Sequence, residues 1–173
     1  MGEGLLRSIL DGAGIAAHVG SAGLMEGGRP ATPDAVAVLA DRGVDIGAHR
    51  SRRLDDESVG LGDADLVLTM ERRHLQEAVL LHRHLRDRTF TLVDFVKRSE
   101  GGSPRRADEA LRGYAERLSA GRPSADLLGI GDDSVADPIG RERSAYRATA
   151  ALLDDLLRRA VARAFPLQEA RSA

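Results

Sequence analysis

The pair Asp137-Pro138 offers one kind of chemistry. A carboxylic acid on an exposed, rigid turn can hand a proton to a departing oxygen. Proline fixes its own φ and holds the residue before it extended, so the acid would be presented in one direction. The plainer alternative is a turn that leads into the last helix. Ser21, in Ser21-Ala22-Gly23, could support a neighbouring phosphate loop or be an ordinary turn residue. His49 is followed by Arg50, Arg52 and Arg53, which could orient a loop and attract an anionic substrate, or form a solvated basic turn. His74, His82 and His84 fall in an expected helix with no convergent carboxylate, so no metal site is expected. Asp132-Asp133 reads as a solvated pair in a loop.

The 173 residues contain no cysteine, which excludes disulfides, zinc-thiolate sites and thiol redox couples within them. The formal charge is −2. No basic stripe is interleaved with aromatics, so no nucleic-acid partner is expected. No apolar run approaches the roughly 20 residues that span a bilayer. The opening MGEGLLRSIL has neither the basic start nor the long apolar stretch of a signal peptide, so the expected location is cytoplasmic.

These residues need elements to position them. Leu5, Leu6, Ile9 and Leu10 have helical spacing over 3–12. Ile15 to Val19 reads as a short strand leading into the glycine-rich stretch up to Pro30. Thr32-Pro33-Asp34 is an N-terminal helix signal, with Ala35, Val36, Val38 and Leu39 facing inward and Gly43 as the stop. Asp55 or Asp56 caps a short turn. Ala64 to Met70 is a short apolar run suited to a buried parallel strand. A helix follows over 71–85, with Leu75, Val79 and Leu80-Leu81 on one side. Thr89 to Leu92 reads as a further strand, 104–118 as a helix and 121–135 as a long loop. A long amphipathic helix over 144–165 runs through Ala148, Leu152, Leu156 and Val161, and 166–173 is expected to fray. Strand–helix alternation predicts a single α/β domain over 1–173, a layered fold with a parallel sheet.

Taken in order, GEGLLRSIL, VGSAGL, GGRPATPDAVAVLADRGVDIGAHRSRRL, DADLVLTMERRHLQEAV, TFTLVDF and VADPIGRERSAYRATAALLDDLL closely resemble the low-molecular-weight protein-tyrosine-phosphatase family. The stretches run from residue 2 to about residue 160. The Gly-x-Asp-x-x-x-His-x-x-Arg pattern at 43–52 and the late Asp-Pro carry much of the likeness. The resemblance implies a three-layer α/β fold, a short four-stranded parallel sheet flanked by helices on both faces, with a cysteine thiolate in a Cys-x5-Arg-Ser/Thr loop at the start of the first helix, a cysteinyl-phosphate intermediate, phosphorylated protein substrates and no cofactor. Asp137 matches the general acid. Ser21 and His49 match residues that stiffen the phosphate loop, and Arg52 matches a basic position after that histidine.

This sequence departs from the pattern at its first helix. GEGLLR matches the segment just after the phosphate loop, so Arg7 is a helix residue and not the phosphate-gripping arginine. Ser8 lies about a turn and a half into the helix, with no base beside it. No nucleophile and no phosphate-binding residue is therefore assigned. The first, internal strand of the family fold would lie ahead of Met1 with the cysteine and arginine, and the expectation is a truncated chain. Ile139-Gly140 stands where many relatives carry aromatics. DPIG and TFTLVDF look more like bacterial members, some of which act on phosphoarginine. Three functions follow from the resemblance: a phosphatase-family protein acting on phosphotyrosine or phosphoarginine, an inactive relative that binds or regulates, and an arsenate-reductase relative. The third needs cysteines that the chain lacks.

Overall fold

The computed structural model describes residues 1–123 and 133–166. Asp132, most of the expected loop over 121–135 and all but the first residue of the expected tail lie outside them. The helices are α1 (Gly2–Gly12), α2 (Pro33–Ala40), α3 (Arg72–Leu81), α4 (Leu92–Gly101), α5 (Leu111–Ser119) and α6 (Arg143–Ala164). Short 3-10 turns cover Glu57–Val59, Leu61–Asp63 and Arg83–Arg88. Strands β1 (Val67–Thr69) and β2 (Thr89–Thr91) pair in parallel, Leu68 opposite Phe90.

Strand alternation sorts the apolar residues into two layers. Leu66, Leu68 and Phe90 pack into the large cluster with α1, α2, α4, α5 and α6. Val67 faces the other way, onto Leu61, Ala78 and Leu85. Successive strand side chains point to opposite faces, so helices cover both sides of the sheet, as the expected three-layer α/β class requires. Phe90, Phe95 and Tyr114 meet edge to face, with centroids 5.6 and 6.2 Å apart, a favoured aromatic geometry. On the opposite face of β2, Thr89 donates its hydroxyl to the Leu85 carbonyl at 2.8 Å.

Several elements form for the reasons the sequence suggests. Thr32 Oγ1 accepts from the Ala35 amide at 3.3 Å and Pro33 opens α2. Asp56 caps its turn through the Ser58 amide at 2.9 Å.

Others differ. Ile15–Val19 is not a strand: no described residue pairs with it, and most of it is exposed. Its position is set by Arg7, which donates to the Val19 carbonyl at 3.0 Å. The helix expected over 71–85 ends at Leu81, and after His82 the chain tightens into the 3-10 turn over Arg83–Arg88. Leu80 and Leu81 are exposed, while Leu75 and Ala78 are the buried positions. The stretch after Thr91 is helix α4, capped by Thr91 Oγ1 accepting from the Asp94 amide at 3.1 Å. Helix α5 starts at Leu111 rather than near Pro104, because Arg105 and Arg106 are engaged by the Arg163 and Ala164 carbonyls and by Glu109. The buried stripe of α6 runs through Tyr146, Ala150, Leu153, Leu157, Ala160 and Ala164, leaving Ala148 and Leu152 exposed.

Candidate functional site

Glu3 lies in the first turn of α1. An acidic residue there is favoured by the helix dipole. Its side chain is only 12% exposed, so it needs polar partners, and they come from three directions. Arg7, one turn on, donates to Oε1 at 2.6 Å. The Ser21 hydroxyl donates to Oε2. His49 Nδ1 stands 3.7 Å and Arg52 Nη2 3.9 Å from that same oxygen. Burial alone would raise the Glu3 carboxyl. The hydrogen bonds from Ser21 and Arg7, with the charges of Arg7 and His49, outweigh it and hold the group below the usual glutamate range.

The loops bearing Ser21 and His49 are themselves tied together. Arg52 Nε donates to the Ser21 carbonyl at 3.2 Å. The Gly23 amide donates to the Arg52 carbonyl at 2.9 Å, and the Gly28 amide to the Ser51 carbonyl at 2.7 Å. Val44 and Ile46 sink into the core beneath α1. Gly4 permits that approach: a Cβ there would stand 2.6 Å from Ile46 Cγ2 and 3.2 Å from Val44 Cγ1. His49 thus reaches Glu3 because α1 carries a glycine where the 44–49 segment crosses it. A surface cavity of ≈ 410 Å³ opens here, lined among others by Glu3, Arg7, His18, His49, Arg50 and Arg52.

Ser21 and His49 are therefore brought together, and Arg52 with them. The basic run after His49 is in part a constructed support rather than a solvated turn. Glu3 is the residue that sequence reasoning passed over. Its one local signal is the Glu3–Arg7 spacing of four, which helices use for ion pairs. Ser8 is exposed on α1 with no base beside it.

Asp137 is not in that cluster. It is exposed, and its Oδ1 accepts from the Ile139 amide at 3.0 Å. Gly140 closes the turn at φ +75°, and the Arg141 amide donates to the Pro138 carbonyl at 3.0 Å. The Asp-Pro turn is nevertheless attached near the same end of the molecule. Val135 donates its amide to the Met70 carbonyl at 2.8 Å, directly beyond β1. Met70 Cε lies 3.5 Å from where a Cβ on Gly2 would sit, at the start of α1. Asp133 is not a solvated residue: its oxygens take Arg72 and Lys97, each at 2.6 Å. His84 Nε2 lies 2.9 Å from the Gly62 carbonyl oxygen, and no group of three ligating side chains gathers among the described residues. No described helix is long and apolar enough to cross a membrane.

The fold is a layered α/β scaffold with half-buried polar side chains gathered at a helix N-terminus, the end of a helix that favours anions. The family profile described as low molecular weight phosphotyrosine protein phosphatase matches residues 1–110. The chain belongs to that family. It is 35% identical over 102 residues to the protein-arginine-phosphatase of Bacillus subtilis, a match spanning 58% of this chain and 66% of that one. It is 31% identical over 123 residues to the low molecular weight protein-tyrosine-phosphatase Etp of Escherichia coli K12, covering 69% and 80% of the two chains. The crystal structure of a YwlE mutant from Bacillus subtilis superposes with a TM-score of 0.65 at 28% identity, over 91% of this chain and 84% of that one.

Proposed function

We propose that these 173 residues form one domain that is the supporting body of a protein phosphatase site, and that they hold its general acid and the supports of its phosphate loop, but not that loop with its nucleophile and phosphate-gripping arginine. The observation that carries this reading is the convergence of Ser21, His49 and Arg52 on Glu3 in the first turn of α1. A buried, multiply bonded carboxylate at a helix mouth fixes the two loops that would stiffen a phosphate-binding loop placed ahead of α1. Asp137 is the general acid. On a turn locked by Pro138 and by its own bond to the Ile139 amide, it protonates the leaving group and then activates water for hydrolysis of the enzyme-bound phosphoryl group. The substrates are phosphorylated proteins, carrying phosphotyrosine or phosphoarginine as the names of the relatives suggest, and no cofactor takes part. Ile139 beside the acid, in place of an aromatic, supports the arginine side of that choice. The same reading puts the protein in the cytoplasm.

Attack on phosphorus requires a thiolate whose pKa is lowered at the helix start. With no cysteine in the sequence, the chain alone is expected to leave para-nitrophenyl phosphate unhydrolysed at every pH. A strand and a Cys-x5-Arg-Ser loop joined ahead of Met1 are expected to produce turnover. In that longer protein Asp137→Asn should slow it by roughly 100–10,000-fold, the usual worth of a positioned acid. An undiminished rate would remove Asp137 from the mechanism. The cysteine-free composition favours a second reading, an inactive binding or regulatory module. A well-folded graft that stays inert would select it.

A further inference from the structure

The stretch that ends in Asp137 is held at several points. Val135 is buried and bonded through its amide to the Met70 carbonyl at 2.8 Å. Thr149 on α6 donates to the Ala136 carbonyl at 3.3 Å. Pro138 is buried, and Asp137 is left pointing free of the core. Ahead of all these stands Asp133, the charged anchor. Its side chain is 14% exposed, with Oδ2 on Arg72 Nη2 and Oδ1 on Lys97 Nζ. Arg72 is the first residue of α3, directly beyond β1, and Lys97 lies in the middle of α4, which follows β2. One carboxylate therefore joins the helices that leave both strands of the sheet.

The geometry points to a role for this carboxylate beyond folding, and we propose that Asp133 is a positioning residue for the acid-bearing turn. By taking a cation from each helix, it sets the direction in which the chain runs into the Val135–Met70 contact, and four residues later the place where Asp137 stands. The Arg72 pair, with side chains 21% and 14% exposed, is screened less than an exposed pair, while the Lys97 side chain reaches in from solvent. Two oxygens held by two separately mounted cations also fix orientation as well as distance, which one contact would not do. The catalytic consequence rests on the reading of Asp137 as proton donor; the clamp itself does not.

The test uses the chain's lack of cysteine. Ser8→Cys on α1 and Arg141→Cys just past the acid turn, both exposed positions, accept nitroxide labels cleanly. Pulsed dipolar spectroscopy between them is expected to give one narrow distance distribution. Asp133→Ala should lose that narrow peak. Lys97→Ala, which removes a side chain 65% exposed, should broaden it, and Asp133→Glu should restore it. Asp137→Asn should leave it in place. An Asp133→Ala distribution that overlays the parent's, with helical circular dichroism intact, overturns the proposal, and so does failure of Asp133→Glu to restore the peak. Should Asp133→Ala not fold, Lys97→Ala decides: an unbroadened distribution overturns the clamp. The readout is a distance and not a rate, so an Asp137 found idle in the turnover assay would sink the catalytic reading while these distances still judged the clamp.

Discussion

Glu109 shows how a single carboxylate carries charge-dependent stability in this fold. Arg117 grips it through Nε at 2.8 Å and Nη2 at 2.9 Å, and the Arg106 amide donates to it at 3.1 Å. The Arg117 hydrogen bond is the largest influence on its acidity. Burial opposes it, and the Arg106 amide and the two guanidinium charges add to it, leaving the carboxyl at about 2 against an ordinary 4.5. A folded value below the unfolded one means that the unfolded chain binds the proton more readily. The stabilisation is therefore complete above the unfolded value and drains away as pH falls from about 5 towards 2. Glu109→Gln should flatten that part of the stability–pH curve and lower stability at pH 7 by about 1–3 kcal/mol, the worth of charge-assisted hydrogen bonds, as read by urea unfolding across pH. Glu3 has the same sign: its carboxyl is also held low against its own burial. Glu3→Gln should remove its own share of the stability lost on acidification, read by the same urea unfolding across pH.

At the scale of elements, the contact between α1 and the 44–49 segment decides whether the site assembles. Gly4→Ala would put a methyl group 2.6 Å from Ile46 Cγ2. Overpacking of this kind costs about 1–3 kcal/mol. The same variant should separate His49 from Glu3, read as the loss of nuclear Overhauser contacts between the His49 ring and the Glu3 side chain. Retained contacts with lowered stability would show that the segment yields elsewhere. Local sequence carried the elements whose signals are local. Thr32-Pro33-Asp34 starts α2, and the apolar run at 64–70 contains β1. Helix α4 was hidden because Thr89 to Leu92 is β-branched and aromatic, and the cap at Thr91 sits inside that run. On α6 the period was right and the phase partly wrong: Leu152 looks like a core residue, but Tyr146 and Ala150 hold the packed side. Ile15 to Val19 has strand composition without a partner, and composition alone cannot show whether a partner lies alongside.

At the scale of the whole molecule, function depends on what long-range packing brings to the mouth of α1. Ser21 is 18 residues from Glu3 in the chain, and no local pattern reports such a meeting. Ser21, His49 and Asp137 were found through the order and spacing of family segments. Glu3 gains its partners and Asp133 its two cations only once the fold places α1 beside the 44–54 loop and brings Arg72 of α3 and Lys97 of α4 within reach of one carboxylate. The groups that meet at Glu3 thus come from three separate stretches of sequence: α1, the Ser21 loop and the 49–52 segment.

The most direct measurement is hydrolysis of para-nitrophenyl phosphate by the chain carrying a grafted strand and Cys-x5-Arg-Ser loop, compared with the same graft bearing Ser21→Ala and His49→Gln. Supports built to hold that loop predict turnover in the graft and a loss of about 100-fold in the double variant, the usual penalty for a reacting group displaced by about 1 Å. Equal rates in the two proteins, with equal melting temperatures, would contradict the role given to Ser21 and His49.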